Sequence, residues 1–218
     1  MRRAVESGHY LPLTVNGSGH DCLPADCCPG RIPDNCTQAF AEIPKPRHGM
    51  APIAPTALKF PIVTAVHAVL KPLGYRKSSA TFRRVIGDVV HMVEVQGSGA
   101  NTSGDASFTV NIGVFAPALV DEDVRKFTKA SIPEAHWRMR LGELSPSRQD
   151  LWWRVGSLTG AEAAAVEISK LIERSALPAL AQLPDLASLA SVWKSGHSPG
   201  LTERQCAKLL SRVLISAA

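Results

Sequence analysis

VVHMVEVQGSGANTSGDASFTVNIGVF, residues 89–115, is the stretch that decides the fold. Val89, His91, Val93 and Val95 alternate with Val90, Met92, Glu94 and Gln96, the period-2 pattern of a strand. Ser107–Phe115 repeats it, with Phe108, Val110, Ile112 and Val114 set to point inward and Ser107, Thr109, Asn111 and Gly113 outward. The residues between, 97–106, are rich in Gly and Ser and join the two strands. Upstream, Thr81–Ile86 alternates as well. Gly87-Asp88 then makes a tight turn into the strand at Val89, so three sequential strands form an antiparallel meander.

Working outward, Leu58–Leu73 carries apolar residues at helical spacing (Ile62, Val63, Val66, Val69, Leu70, Leu73), with Pro61 expected in the first turn and Gly74 as the left-handed stop. Tyr75-Arg76-Lys77 reads as a polar turn. A short helix is expected over Glu122–Lys129, its acids first and its lysines last, as the helix dipole favours. Ala135–Leu141 alternates strictly, with His136, Arg138 and Arg140 on one face and Trp137, Met139 and Leu141 on the other. Asp150–Val155 is a fifth strand that sends Trp152 and Trp153 to opposite faces, one to the core and one to a helix or a surface groove.

The remainder is helical. Thr159–Glu162 has the form of a capping box before a buried stripe of Ala161, Ala164, Ala165, Ile168, Leu171 and Ile172, ending before Pro178. Asp185–Lys194 is a shorter helix. Thr202–Gln205 is a second capping box, opening a last helix with Cys206, Leu209, Leu210 and Val213 on its apolar face. The fold class is α+β: an antiparallel sheet of about five strands covered by an N-terminal helix and C-terminal helices, within one domain over residues 56–218.

Residues 1–55 differ in kind. Pro and Gly punctuate them and no period persists, so they cannot bury enough apolar surface to offset the entropy of ordering; a disordered extension is expected. Met50, near its end, is a second candidate start of translation. His20, Cys22, Cys27, Cys28 and Cys36 are soft ligands, but their spacing is not C-x2-C and adjacent cysteines ligate one ion poorly. No metal is expected.

Composition narrows the function classes. The chain of 218 residues is 45% hydrophobic, and no apolar run approaches a membrane span. Its N-terminus lacks the apolar core of a secretory signal, and five cysteines with one in the main domain do not make a disulfide scaffold; a cytoplasmic location and no membrane partner are expected. The net charge of +5 arises wholly after residue 50, since residues 1–50 hold five basic and five acidic side chains. An excess of this size is usual for solubility and does not by itself call for nucleic acid.

The order of motifs resembles a known bacterial family. Leu70-Lys71-Pro72-Leu73-Gly74-Tyr75, Thr81-Phe82, Val95-Gln96-Gly97-Ser98 and Phe108–Gly113 are followed by His136–Gly142 and Asp150–Trp153. In this order they are similar to domain of unknown function 4304, over about residues 57–194. The resemblance implies a compact α+β domain and no particular activity.

Residue patterns that carry chemistry are sparse. Phosphate-loop, dinucleotide, HExxH and nucleophile-elbow motifs are absent, and Gly97-Ser98-Gly99 lies between strands without the helix that would position a catalytic serine. The histidines are scattered. No catalytic residue and no cofactor are expected. The candidate binding set is Gln96, Asn111, His136, Arg138 and Arg140: arginines, amides and an imidazole on one sheet face suit a carboxylate or phosphate. The plain alternative pairs Arg138 and Arg140 with Glu94 and Glu143 on a solvated face. Three functions follow. The expected one is a non-catalytic binding domain that uses this face for a protein partner or small anionic ligand. The others are an enzyme acting on a small anion with His136 as acid or base, and weak nucleic-acid binding through Lys71, Arg76, Lys77, Arg83 and Arg84.

Overall fold

A computed structural model describes residues 52–120, 129–196 and 198–216. The extension with its cysteines, up to residue 51, and nearly all of the helix expected over Glu122–Lys129 lie outside the described residues.

Helix α1 spans Pro55–Leu70 and buries Leu58, Ile62, Val63, Val66 and Leu70. It begins earlier than expected because Pro55, not Pro61, takes the first turn, where a missing N–H costs nothing. Pro61 stands inside the helix. A 3-10 turn over Lys71–Leu73 closes it onto Gly74, whose φ of +85° is the left-handed conformation foreseen for it.

Strands β1 (Arg76–Ser78), β2 (Thr81–Ile86), β3 (Val89–Gly97) and β4 (Ala106–Phe115) follow as an antiparallel meander. The segment read as a polar turn is thus partly a strand. Three polar residues at an edge have no alternation to betray them, yet their backbone pairs with β2, from Arg76 opposite Arg83 to Ser78 opposite Thr81. Strands β5 (Trp137–Arg140) and β6 (Trp153–Val155) both pair with β4, β5 along Asn111–Val114 and β6 along Ala106–Phe108. Among the described residues the sheet therefore has six strands.

Both outer strands are shorter than expected. Leu141 opens helix α2 (Leu141–Leu144) because the Glu143 carboxylate accepts the Arg140 N–H, turning the chain out of the sheet. Helix α3 (Leu158–Leu171) is capped by Ser157, which accepts from the Gly160 N–H, rather than by Thr159. Pro178 does not end this helix: the chain passes through a π turn at Ile172–Ala176 into α4 (Leu177–Ala181). The wider turn relaxes the spacing that a proline ring otherwise breaks. Helix α5 (Leu186–Lys194) is capped by Asp185. The Thr202–Gln205 pair caps α6 (Glu203–Ser216) reciprocally, as its sequence foretold.

One sheet face carries the core. Phe82, Val93, Val110 and Ile112 pack with Leu58 and Val66 of α1, Ile168 of α3 and Trp193 of α5. The other face is not bare. Val90, Met92 and Phe115 form a second apolar cluster with Ala130, Ile132 and Ala135. Three residues expected to face outward are therefore covered. Thr109 is fully buried and donates to the Leu151 carbonyl (2.9 Å), Asn111 is buried, and Gly113 lies under Ala135 and Ile132. Alternation assigns a residue to a face; what covers that face comes from distant sequence. No helix among the described residues is long and apolar enough to cross a membrane.

Candidate functional site

Strand register sets the site. Thr81, Glu94, Asn111 and Arg140 form one row across β2, β3, β4 and β5. Arg83, Met92, Gly113 and Arg138 form the next, and Gln96 opposes Thr109 one row the other way. Residues opposite one another in a sheet share a face, so Gln96, Asn111, Arg138 and Arg140 are brought together with Glu94. They line an open hollow of about 790 Å³, walled on one side by Ser131, Ile132 and Pro133.

Its polar groups are partly tied to one another. The Asn111 amide donates to Gln96 Oε1 (2.7 Å) and, at the limit of hydrogen bonding, to Glu94 Oε2 (3.5 Å). The expected pairing of the arginines with Glu94 and Glu143 is not what forms. Arg140 makes an ion pair with Asp150 and lies over the Trp152 ring at 5.2 Å, while the Trp152 indole donates to the same carboxylate. Glu143 is occupied by the Arg140 backbone N–H. Arg138 donates to the Pro133 carbonyl (2.6 Å). The reason is the return of the chain after α2, which brings Asp150 back beside Arg140. Of the two tryptophans, Trp153 enters the core and Trp152 is 37% exposed, beneath the Arg140 guanidinium.

His136 does not line this hollow. Its Nδ1 accepts the Ala116 N–H (3.0 Å), its ring stacks on Phe115 with centroids 4.8 Å apart, and the Trp193 indole donates to its carbonyl. Burial, assisted by the charge of Arg212, brings its pKa down to about 4, so the ring is neutral at ordinary pH. It faces a second, smaller pocket of about 300 Å³ under α6, and Pro133 and Arg138 line both. His91 is structural: it is buried on the core face, where its Nε2 bonds the Leu183 carbonyl (2.7 Å).

At the other end of the sheet lies a third hollow of about 850 Å³. Arg76, Lys77, Arg83 and Arg84, four of the five residues singled out for nucleic acid, line it together with Lys129; Lys71 does not. No carboxylate lines it among the described residues. Lys129 gave no signal of its own, because only the chain's return beside β3 carries it there. Nor does the described part contain a group of three or more His, Cys, Asp or Glu placed to hold a metal ion.

The sheet order and the rows that build these hollows fall within a recognised family. The family described as Domain of unknown function (DUF4304) matches residues 66–182, more than half of the chain. The chain belongs to the DUF4304 family. All five candidate residues, from Gln96 to Arg140, lie inside the DUF4304 match, whereas α5 and α6 lie beyond it. The hollow on the sheet face is therefore built wholly from the DUF4304 region except for Gly200, while the pocket of His136 needs α6 to close it. No curated protein and no solved structure matches the chain.

Proposed function

We propose that this DUF4304 domain is a non-catalytic binding domain that receives a protein partner on the polar face of its sheet. The observation that supports this reading is the convergence of Arg138, Asn111, Gln96 and the Arg140–Trp152 stack on one open surface. Arginine and tryptophan dominate the energetics of protein interfaces, and an open hollow with mixed polar walls suits a partner's protruding side chains. Catalysis is the weaker reading, because His136, its candidate acid or base, faces the neighbouring pocket with one ring nitrogen already engaged. A cytoplasmic setting belongs to the same proposal; Cys206, the one cysteine among the described residues, is a buried thiol.

Capture from an extract of the native cell, using the full chain as bait, tests the reading. Arg138→Ala, and separately Trp152→Ala, are expected to lower recovery of the partner by about ten-fold or more, the scale of a hot-spot residue. Undiminished recovery with both variants would remove the sheet face from consideration.

A second reading has its own observation. Five cations gathered in one hollow form a surface for a nucleic-acid backbone. Retention on DNA or RNA is then expected at low salt, falling steeply as salt rises. Arg84→Ala and Lys77→Ala should each reduce the log–log salt slope by about one. No retention at low ionic strength would sink this reading and leave the first untouched.

A further inference from the structure

We propose that the pocket under α6 is a binding site for a small phosphate dianion, held by the Nε2–H of His136 with Arg138 and Lys208. The site is distinct from the sheet-face hollow, although Arg138 touches both.

His136 is only 8% exposed. Its Nδ1 accepts the Ala116 N–H, so in the neutral ring the proton must sit on Nε2. That Nε2–H has no partner among the described residues, and the ring lines the pocket. The Nε2–H thus opens onto the pocket as a donor that an entering acceptor can take.

The surroundings fix the charge of that acceptor. Arg138 reaches the pocket from β5, and Lys208 and Arg212 from α6. Arg138 spends one N–H group on the Pro133 carbonyl, and its remaining guanidinium N–H groups have no partner among the described residues. Arg212 donates to the Leu119 carbonyl (2.6 Å) and still lends its charge to the pocket, as its effect on His136 shows. The one carboxylate in the lining, Glu134, is engaged by the Ser131 N–H and hydroxyl, and these bonds hold it ionised. Among the described residues, Arg138 and Lys208 face the pocket beside a carboxylate that is already engaged, which favours a doubly charged ligand over a monocarboxylate. Gln205 adds a carboxamide. A volume of about 300 Å³ is at the small end of ligand sites and admits a phosphate group together with several waters.

The test is a titration of the full chain with sodium phosphate near neutral pH, at ionic strength balanced with sodium chloride. Calorimetry reads affinity, and the nitrogen and proton resonances of the His136 ring read the site. A saturable shift at Nε2–H is expected, with acetate binding more weakly. Lys208 is exposed, so Lys208→Gln should fold normally and weaken phosphate about ten-fold, the scale of one charge-assisted hydrogen bond. His136→Asn, which keeps an acceptor for Ala116 and removes the Nε2–H, should weaken it similarly. Asn111→Ala, in the sheet-face hollow, should leave phosphate affinity unchanged while lowering partner capture. Phosphate shifts no different from those of sodium chloride would overturn the proposal, as would acetate binding as tightly as phosphate or wild-type affinity in Lys208→Gln. Loss of phosphate binding in Asn111→Ala would place the anion on the sheet face instead and overturn it equally.

Discussion

Alanine at Gly142 is expected to destabilise the chain by about 3 kcal/mol or more, at the upper end of overpacking costs. Gly142 is buried at the start of α2, where the chain returns at residues 149–151 and passes against it. A Cβ there would stand 2.2 Å from the Gln149 carbonyl oxygen, 2.6 Å from the Leu151 nitrogen and 2.8 Å from Leu151 Cγ. Two of the three atoms are backbone and cannot swing aside, so the whole return must shift. That return also holds the Leu151 carbonyl that takes the Thr109 hydroxyl, and Asp150, which pairs with Arg140. The damage therefore reaches the rim of the sheet-face hollow. Gly99→Ala is the control, since nothing lies within 4 Å of its Cβ position. For a chain of this size the loss in Gly142→Ala corresponds to a melting temperature lower by about 6–12 °C. A variant that melts with the wild type would show that the close return is not maintained in solution.

The second large effect is on acid stability. His136 and His91 both have pKa values lowered by burial, His136 to about 4. Unfolded, each binds its proton near the usual 6.5; folded, His136 does not until about pH 4. In that interval the unfolded state binds more protons, so stability is full above about pH 6.5 and falls as the pH drops towards 4. His136 alone accounts for about 3 kcal/mol across the window, from 1.36 kcal/mol per unit. Its charged neighbours are Glu134 before β5, Arg138 on β5, and Lys208 and Arg212 on α6. Of these, the Arg212 charge opposes protonation, in the same direction as burial.

Asp105 and Glu134 have depressed pKa values as well, held by Arg154 and by Ser131 respectively. Their contribution has the same sign but is lost below the ordinary carboxylate values, at lower pH than that of the histidines. Urea unfolding at a series of pH values separates the windows. His136→Asn should flatten the slope between about pH 6.5 and 4 relative to wild type. Equal stability at both ends of the interval in the wild type would contradict a neutral, buried His136.

Much of the fold was legible because its signals are local. The alternation in β2, β3 and β4 located those strands within a residue of their ends, and Gly74 and the Thr202–Gln205 cap were readable from chemistry that acts over a few residues. The misreadings have the same origin. β1 has no apolar alternation and exists only through pairing with β2. Pro178 is tolerated because a π turn precedes it, a geometry with no sequence signature here.

For the candidate site the division is sharper. Period-2 alternation alone put Gln96 and Asn111 on one face with Arg138 and Arg140, given only that their strands are neighbours, and the register bears this out. The family, the α+β class and the membership of that face were matters of sequence. Tertiary structure decided what each residue is free to do. Asp150 comes back to take Arg140, the segment from Ala130 to Ala135 covers Val90, Met92 and Phe115, and α6 folds over His136 to make a separate pocket. The physical reason is range. A strand's faces are set by its own backbone, residue by residue, whereas a side chain's partners, burial and charge are set by whichever distant segment packs against it.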